Sequence, residues 1–243
     1  MNNKLIMTAL LGILTTSFST QAALTLSATR YVYMSDTKAM PIKVTNHSDT
    51  PYGAQVWIES HAADGVVPFS VSPGVFTLKA NKGSQTVQVA QLKTDANALA
   101  QDRESLFSVN LQEIPPKAKD ELGNNVLVMA SRTVVKLFYR PSELNDGREK
   151  AEEQIRISKK GNVLTFTNPT PYFFAVVSIN GNEKLATEPF NRMAPFTQMS
   201  VEIKDIASNT VSFKAIDDFG GLRKYKCDVN KKQKQCQHVK TKS

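Results

Sequence analysis

The stretch 125–141, NVLVMASRTVVKLFYRP, constrains this chain more than any other. Its β-branched, aliphatic and aromatic content reads as one long strand, and Pro141, which cannot donate to a ladder, ends it. Within the strand Lys136 stands among Val134, Val135, Leu137 and Phe138. A cation buried alone is costly, so Lys136 either faces water or meets an anion. Taken singly it fits an edge strand, where lysine discourages strand-to-strand aggregation. Upstream, Pro115 and Pro116 and then the polar run KAKDELGNN predict a mobile loop.

The rest of the chain repeats the β signal. LTLSATRYVY (24–33), MPIKVTN (40–46), YGAQVWIES (52–60) and SLFSVNLQEI (105–114) read as strands, and 72–92 reads as two strands around a turn at 80–84. Trp57, the single tryptophan, is expected in the core. Seven short strands with regularly spaced turns predict an immunoglobulin-like sandwich, although the Cys…Trp…Cys spacing of antibody domains is absent. The segment SELNDGREKAEEQ (142–154) is charged and lacks an apolar stripe, so it reads as a linker with room for a short helix. Beyond it IRISKKG (155–161), 162–180, MSVEI (199–203) and TVSFKAI (210–216) are strands again. The expectation is an all-β chain of two domains, 23–141 and 142–243.

The first 22 residues read as an export leader. Lys4 supplies the positive start, LIMTALLGIL the apolar stretch, and Thr20-Gln21-Ala22 a small-x-small cleavage pattern. An uncleaved anchor is the alternative, but no apolar run reaches the roughly 18 residues a membrane span needs. Net charge is +8, and the segment 222–243 holds eight Lys and Arg against Asp228 alone. That segment carries nearly all the excess, so it reads as a solvated basic tail rather than a nucleic-acid-binding face. Cys227 and Cys236, the only two cysteines, are expected to form one disulfide after export, with free thiols or an intermolecular link as alternatives. With His238 alone nearby, a zinc site lacks ligands. There is no nucleophile-elbow, zinc-protease, P-loop or dinucleotide-binding motif, and His47, His61 and His238 are far apart and read as solvated. No catalytic constellation, metal site or cofactor site emerges.

The blocks QDRESLFSVNLQEIPP and RTVVKLFYRP together resemble the PapD-like periplasmic chaperones of pilus assembly. TRYVY, PYGAQVWIE, NPTPYFF, MAPF, DDFGG and the two late cysteines extend the resemblance along the mature chain. It implies two immunoglobulin-like β-sandwich domains in a boomerang, with a pilus subunit bound in the cleft. Arg30 and Lys136 match the pair that grips the subunit's C-terminal carboxylate, an anion that two converging cations hold with charge-assisted hydrogen bonds. Leu127, Met129 and Ser131 match the alternate side chains of the strand donated to an incomplete immunoglobulin-like pilin. Ser131 departs from the larger apolar residue usual in the family. Ile114 matches a cleft isoleucine, and Glu104, Arg140 and Asp218 match an interdomain ionic cluster. The implied partners are pilus subunits and an outer-membrane usher, in the periplasm, with no cofactor, no nucleic acid and no membrane insertion. A dimer in which the chaperone caps its own edge is left open. Two other classes compete. A structural pilin or adhesin would have one sandwich and an N-terminal donor segment, whereas a secreted β-sandwich hydrolase would lose activity on altering a carboxylate pair.

Overall fold

The computed structural model describes residues 22–92, 99–117, 129–186, 188–203, 209–231 and 235–239. The expected leader, residues 1–22, therefore falls outside the described residues apart from Ala22, and Leu127 also lies outside them. The first half contains β1 (Leu24–Leu26), β2 (Arg30–Met34), β3 (Met40–Asn46), β4 (Tyr52–Ser60), β5 (Phe69–Ser72), β6 (Val75–Leu78), β7 (Ser84–Gln91), β8 (Ser105–Ile114) and β9 (Arg132–Arg140). They form a four-stranded sheet, β1-β3-β7-β5, and a five-stranded sheet, β2-β9-β8-β4-β6. The predicted strand 24–33 is two strands because the chain changes sheets. β1 pairs antiparallel with β3, while β2 runs parallel to β9.

Period-two alternation builds the core between these sheets. Ala54, Val56 and Ile58 take the inward positions of β4, which turns Trp57 outward. The tryptophan is therefore a face residue, not a core residue, and the Arg132 guanidinium lies 4.8 Å above its ring. β8 is buried on nearly every residue, as a strand covered on both faces should be. β9 changes character along its length: Arg132 to Lys136 are exposed or half-buried, and Leu137 to Arg140 are buried.

β9 also begins later than its composition suggests. Residues 129–131 lie outside the strand, and 125–128 are not described. The ladder closes with Glu113 N–H donating to the Ser131 carbonyl at 2.9 Å, after which Pro115 and Pro116 leave the partner strand without donors. Nor is β9 an edge strand throughout, since β2 pairs with it from Lys136 onward.

The second half contains β10 (Arg156–Lys160), β11 (Val163–Thr167), β12 (Ala175–Ile179), β13 (Gln198–Glu202), β14 (Thr210–Ile216), β15 (Leu222–Asp228) and β16 (Cys236–Val239). Its sheets are β10-β11-β13 and β12-β14-β15-β16, around a separate core that includes Phe166, Phe174, Val176 and Phe213. The chain thus folds as two β-sandwiches. Residues 162–180 hold two strands, β11 and β12, between which Asn168 turns the chain: its amide donates to the carbonyls of Tyr172 and Ala194, both at 2.8 Å. The basic tail is also revised. In β15, Tyr225 and Cys227 point inward while Arg223, Lys224 and Lys226 stay exposed, so much of the segment belongs to the fold. Cys227 and Cys236 are directly opposed and disulfide-bonded. The expected linker forms two short 3-10 turns, Ser142–Gly147 and Ala151–Gln154.

Candidate functional site

The outer face of the five-stranded sheet looks across to the second domain, and strand register arranges it in rows. Arg30, Lys136 and Ser108 form one row, because Arg30 pairs with Lys136 and Lys136 with Ser108. Two residues along, about 7 Å away, Val32, Phe138 and Leu106 form the next. This second row and the one beyond it, with Arg140, are covered. The Phe173 ring lies 6.1 Å from that of Phe138, and Phe173 N–H donates to Glu104 Oε2 at 2.7 Å. In the other direction the row of Val134, Asn110 and Trp57 leaves Val134 exposed. The Arg30–Lys136 row thus lies where the covered half of the sheet meets the open half.

At that boundary the charge is one-sided. Arg30 is buried, and its Nη1 donates to the Ile216 carbonyl at 3.0 Å, while its Nε has no partner among the described residues. Lys136 is half-buried and its ammonium donates to the Asn191 carbonyl. Neither cation is in an ion pair among the described residues. Burial lowers the Lys136 pKa to about 8, Arg30 and Arg192 push the same way, and Glu188 opposes them. Burial also lowers Arg30, against the pull of Asp218 and Asp217. Two desolvated like charges side by side are stabilised by any anion placed between them.

His61, expected to be merely solvated, instead bridges the domains beside this row. Arg192 Nη1 donates to His61 Nδ1 at 2.9 Å, so His61 Nε2 donates to Ser108 Oγ at 2.7 Å. Arg192 in turn pairs with Glu188 at 2.5 Å.

The expected ionic cluster assembles, and it is larger than the sequence indicated. Arg140 Nε reaches Glu104 at 2.7 Å and its Nη2 reaches Asp218 at 2.7 Å. Arg148, not anticipated, pairs with Asp218 at 3.2 Å and with Glu152 at 2.8 Å. Burial pushes the Glu104 carboxyl up, with Arg140 holding it down. The one sequence signal for the added pair was the four-residue spacing of Arg148 and Glu152, which places both on one face of a turn.

The remaining predicted residues lie along the open edge. Met129 is 78% exposed, Val134 53% and Ile114 44%, so Ile114 is no ordinary core residue. Ser131 is exposed, and its carbonyl also accepts from Gln112 Nε2 at 3.0 Å. From Arg132 to Val135 β9 pairs with β8 alone, so its other edge carries unpaired backbone groups among the described residues. No group of three or more His, Cys, Asp or Glu among the described residues is placed to hold a metal ion.

Comparison with known proteins bears on the same features. Residues 23–145 match the family model described as pili and flagellar-assembly chaperone, PapD N-terminal domain, and residues 150–227 match pili assembly chaperone PapD, C-terminal domain. The chaperone protein FanE of Escherichia coli is 38% identical over 210 residues, 84% of this chain and 90% of the relative. The solved structure of the CupB2 chaperone of Pseudomonas aeruginosa superimposes with a TM-score of 0.67 at 28% identity, covering 83% of this chain and 98% of that one. The Salmonella enterica SafA pilin in complex with the SafB chaperone gives a TM-score of 0.68 at 24% identity, covering 83% and 93%, a likeness of fold alone. With both family models matched in order along two β-sandwiches, this chain belongs to the PapD-like family of pilus-assembly chaperones.

Proposed function

We propose that this chain captures pilus subunits by holding their C-terminal carboxylate between Arg30 and Lys136 while lending a strand from β9. The observation that carries the reading is the adjacency of two desolvated cations, neither in an ion pair among the described residues, at the point where the open edge of β9 ends. A guest strand added to Arg132–Val135 lies in line with β2, which takes over the pairing at Lys136. For its terminal carboxylate to meet Arg30, such a strand must run toward β2. β2 is parallel to β9, so the guest is parallel to β9 as well. Main-chain hydrogen bonds then supply affinity, and alternate apolar side chains supply specificity. Exposed Met129 and Val134, with Ile114 beside them, suit that contact, and Leu127 and Ser131 complete the proposed donor set. The anchor also fixes register, since a slip of one residue would turn every side chain to the wrong face.

The ionic cluster of Glu104, Arg140 and Asp218 holds the angle between domains divided at 141/142. Residues 1–22 serve as a cleaved leader that sends the chain to the periplasm, where the disulfide persists and an outer-membrane usher receives the subunit. A structural pilin or adhesin is not favoured, because the relatives matched along most of the chain are chaperones. Affinity isolation of the full chain with mass-spectrometric identification of its partner tests the reading. The wild-type chain should retain a pilin subunit that the Arg30→Ala chain does not, and equal recovery by both would overturn it.

A further inference from the structure

Phe219 is 96% exposed at the tip joining β14 to β15, the most exposed of the large apolar side chains among the described residues. A loose turn would account for such exposure, but this turn is fixed. The Asp217 carboxylate accepts the N–H of Gly221 at 2.6 Å, the N–H of Phe219 at 3.1 Å and the Arg223 side chain at 2.8 Å. Gly220 adopts φ +85°, and a β-carbon there would come within 2.7 Å of Thr29 Oγ1. The tip therefore abuts the residue before Arg30. Its flanks are tied to the first domain as well: Ile216 accepts from Arg30, and Asp218 binds Arg140. An aromatic held this way has little further ordering cost on contact with a partner. Leu222, 57% exposed, pairs with Ile216 at the same tip, and Ile114, Met129 and Val134 are exposed along the β8–β9 edge.

We propose that Phe219 is a subunit-contacting residue contributed by the second domain. It packs against an apolar side chain within the last few residues of the polypeptide whose carboxylate Arg30 and Lys136 hold. The inference rests on the anchor reading above and extends it from one domain to both. The partner is an extended segment that ends in a free carboxylate with an apolar residue next to it. A preorganised aromatic is the type of side chain that dominates such interfaces.

The test uses the full chain and fluorescein-labelled peptides of about 10 residues, the length of a strand. They alternate valine and threonine and end in a free carboxylate, with either leucine or serine at the last two positions. In fluorescence anisotropy, Phe219→Ser should weaken the leucine-ended peptide about tenfold and leave the serine-ended one unchanged. Phe219→Trp should keep wild-type affinity, and the melting temperature should not move in either variant. If Phe219→Ser binds both peptides as the wild type does while Arg30→Ala has lost them, the contact is refuted and the tip serves another partner, such as the usher. If Arg30→Ala binds normally but Phe219→Ser does not, the contact stands and the anchor reading falls. Normal binding by both variants overturns both. Phe219-dependent self-association in sedimentation, with peptide binding unaltered, would replace the subunit by a second copy of the chain.

Discussion

Two groups of charge span the seam between the domains, and they are built in opposite ways. In the cluster around Arg140, each of two arginines reaches two carboxylates at 2.7–3.2 Å. In the row of Arg30 and Lys136, two cations stand side by side and donate to backbone carbonyls of the second domain. Both groups are desolvated, so burial alone does not distinguish them. Neutralisation does. A closed cluster holds an arrangement of domains, whereas a cation pair without a counter-ion suits an anion supplied from outside.

The comparison breaks most visibly at Arg140. Arg140→Ala leaves Glu104 buried without its principal partner, so it should cost about 3–5 kcal/mol in a denaturant titration. A loss below about 1 kcal/mol would mean that the cluster is not structural. Arg30→Ala and Lys136→Ala should act in reverse. Each removes one of two crowded cations, so stability should stay level or rise slightly while subunit capture is lost. Arg30 is buried beside Lys136, so relief of like-charge repulsion is the reason for that tolerance.

Titration sharpens the contrast. The Lys136 pKa lies at about 8, below the ordinary lysine value of 10.5, so the folded chain disfavours the ammonium. Below about pH 8 this penalty is complete, because lysine is charged in both folded and unfolded chains. As pH rises toward 10.5 the folded chain sheds the proton first and the penalty fades. The wild type should therefore gain stability relative to Lys136→Met between about pH 8 and 10.5. Capture should weaken over the same rise, since a neutral amine holds a carboxylate poorly. Arg30, Arg192, Glu188 and the Asn191 carbonyl face this amine. A flat capture profile would contradict the assignment. The smallest stability effects belong to the open edge: Met129→Glu and Val134→Glu should shift folding by no more than about 0.5 kcal/mol while weakening capture. A collapse in melting temperature would assign both residues a core role instead.

What the sequence made legible follows from periodicity and from short-range chemistry. Alternation located most of the strands, and the blocks around Glu104 and Lys136 pointed to a cleft that tertiary pairing then assembled. Alternation could not assign Trp57, because Val56, Trp57 and Ile58 are consecutive apolar residues and only the sheet decides which face is inward. β15 was overlooked for a related reason: Tyr225 and Cys227 alternate with cations, and the charge obscured the period. Arg148 and Glu152 looked like a solvated linker, since their burial depends on Asp218, distant in sequence.

The most direct measurement is a thermodynamic cycle on the carboxylate itself. A subunit-derived C-terminal peptide is titrated as free acid and as amide into the wild-type chain, Arg30→Ala and Lys136→Ala, with binding followed by calorimetry. Amidation should cost the wild type as much affinity as either substitution, and cost the variants nothing more, because all three changes remove one interaction. Equal affinity of the wild type for acid and amide would contradict the account.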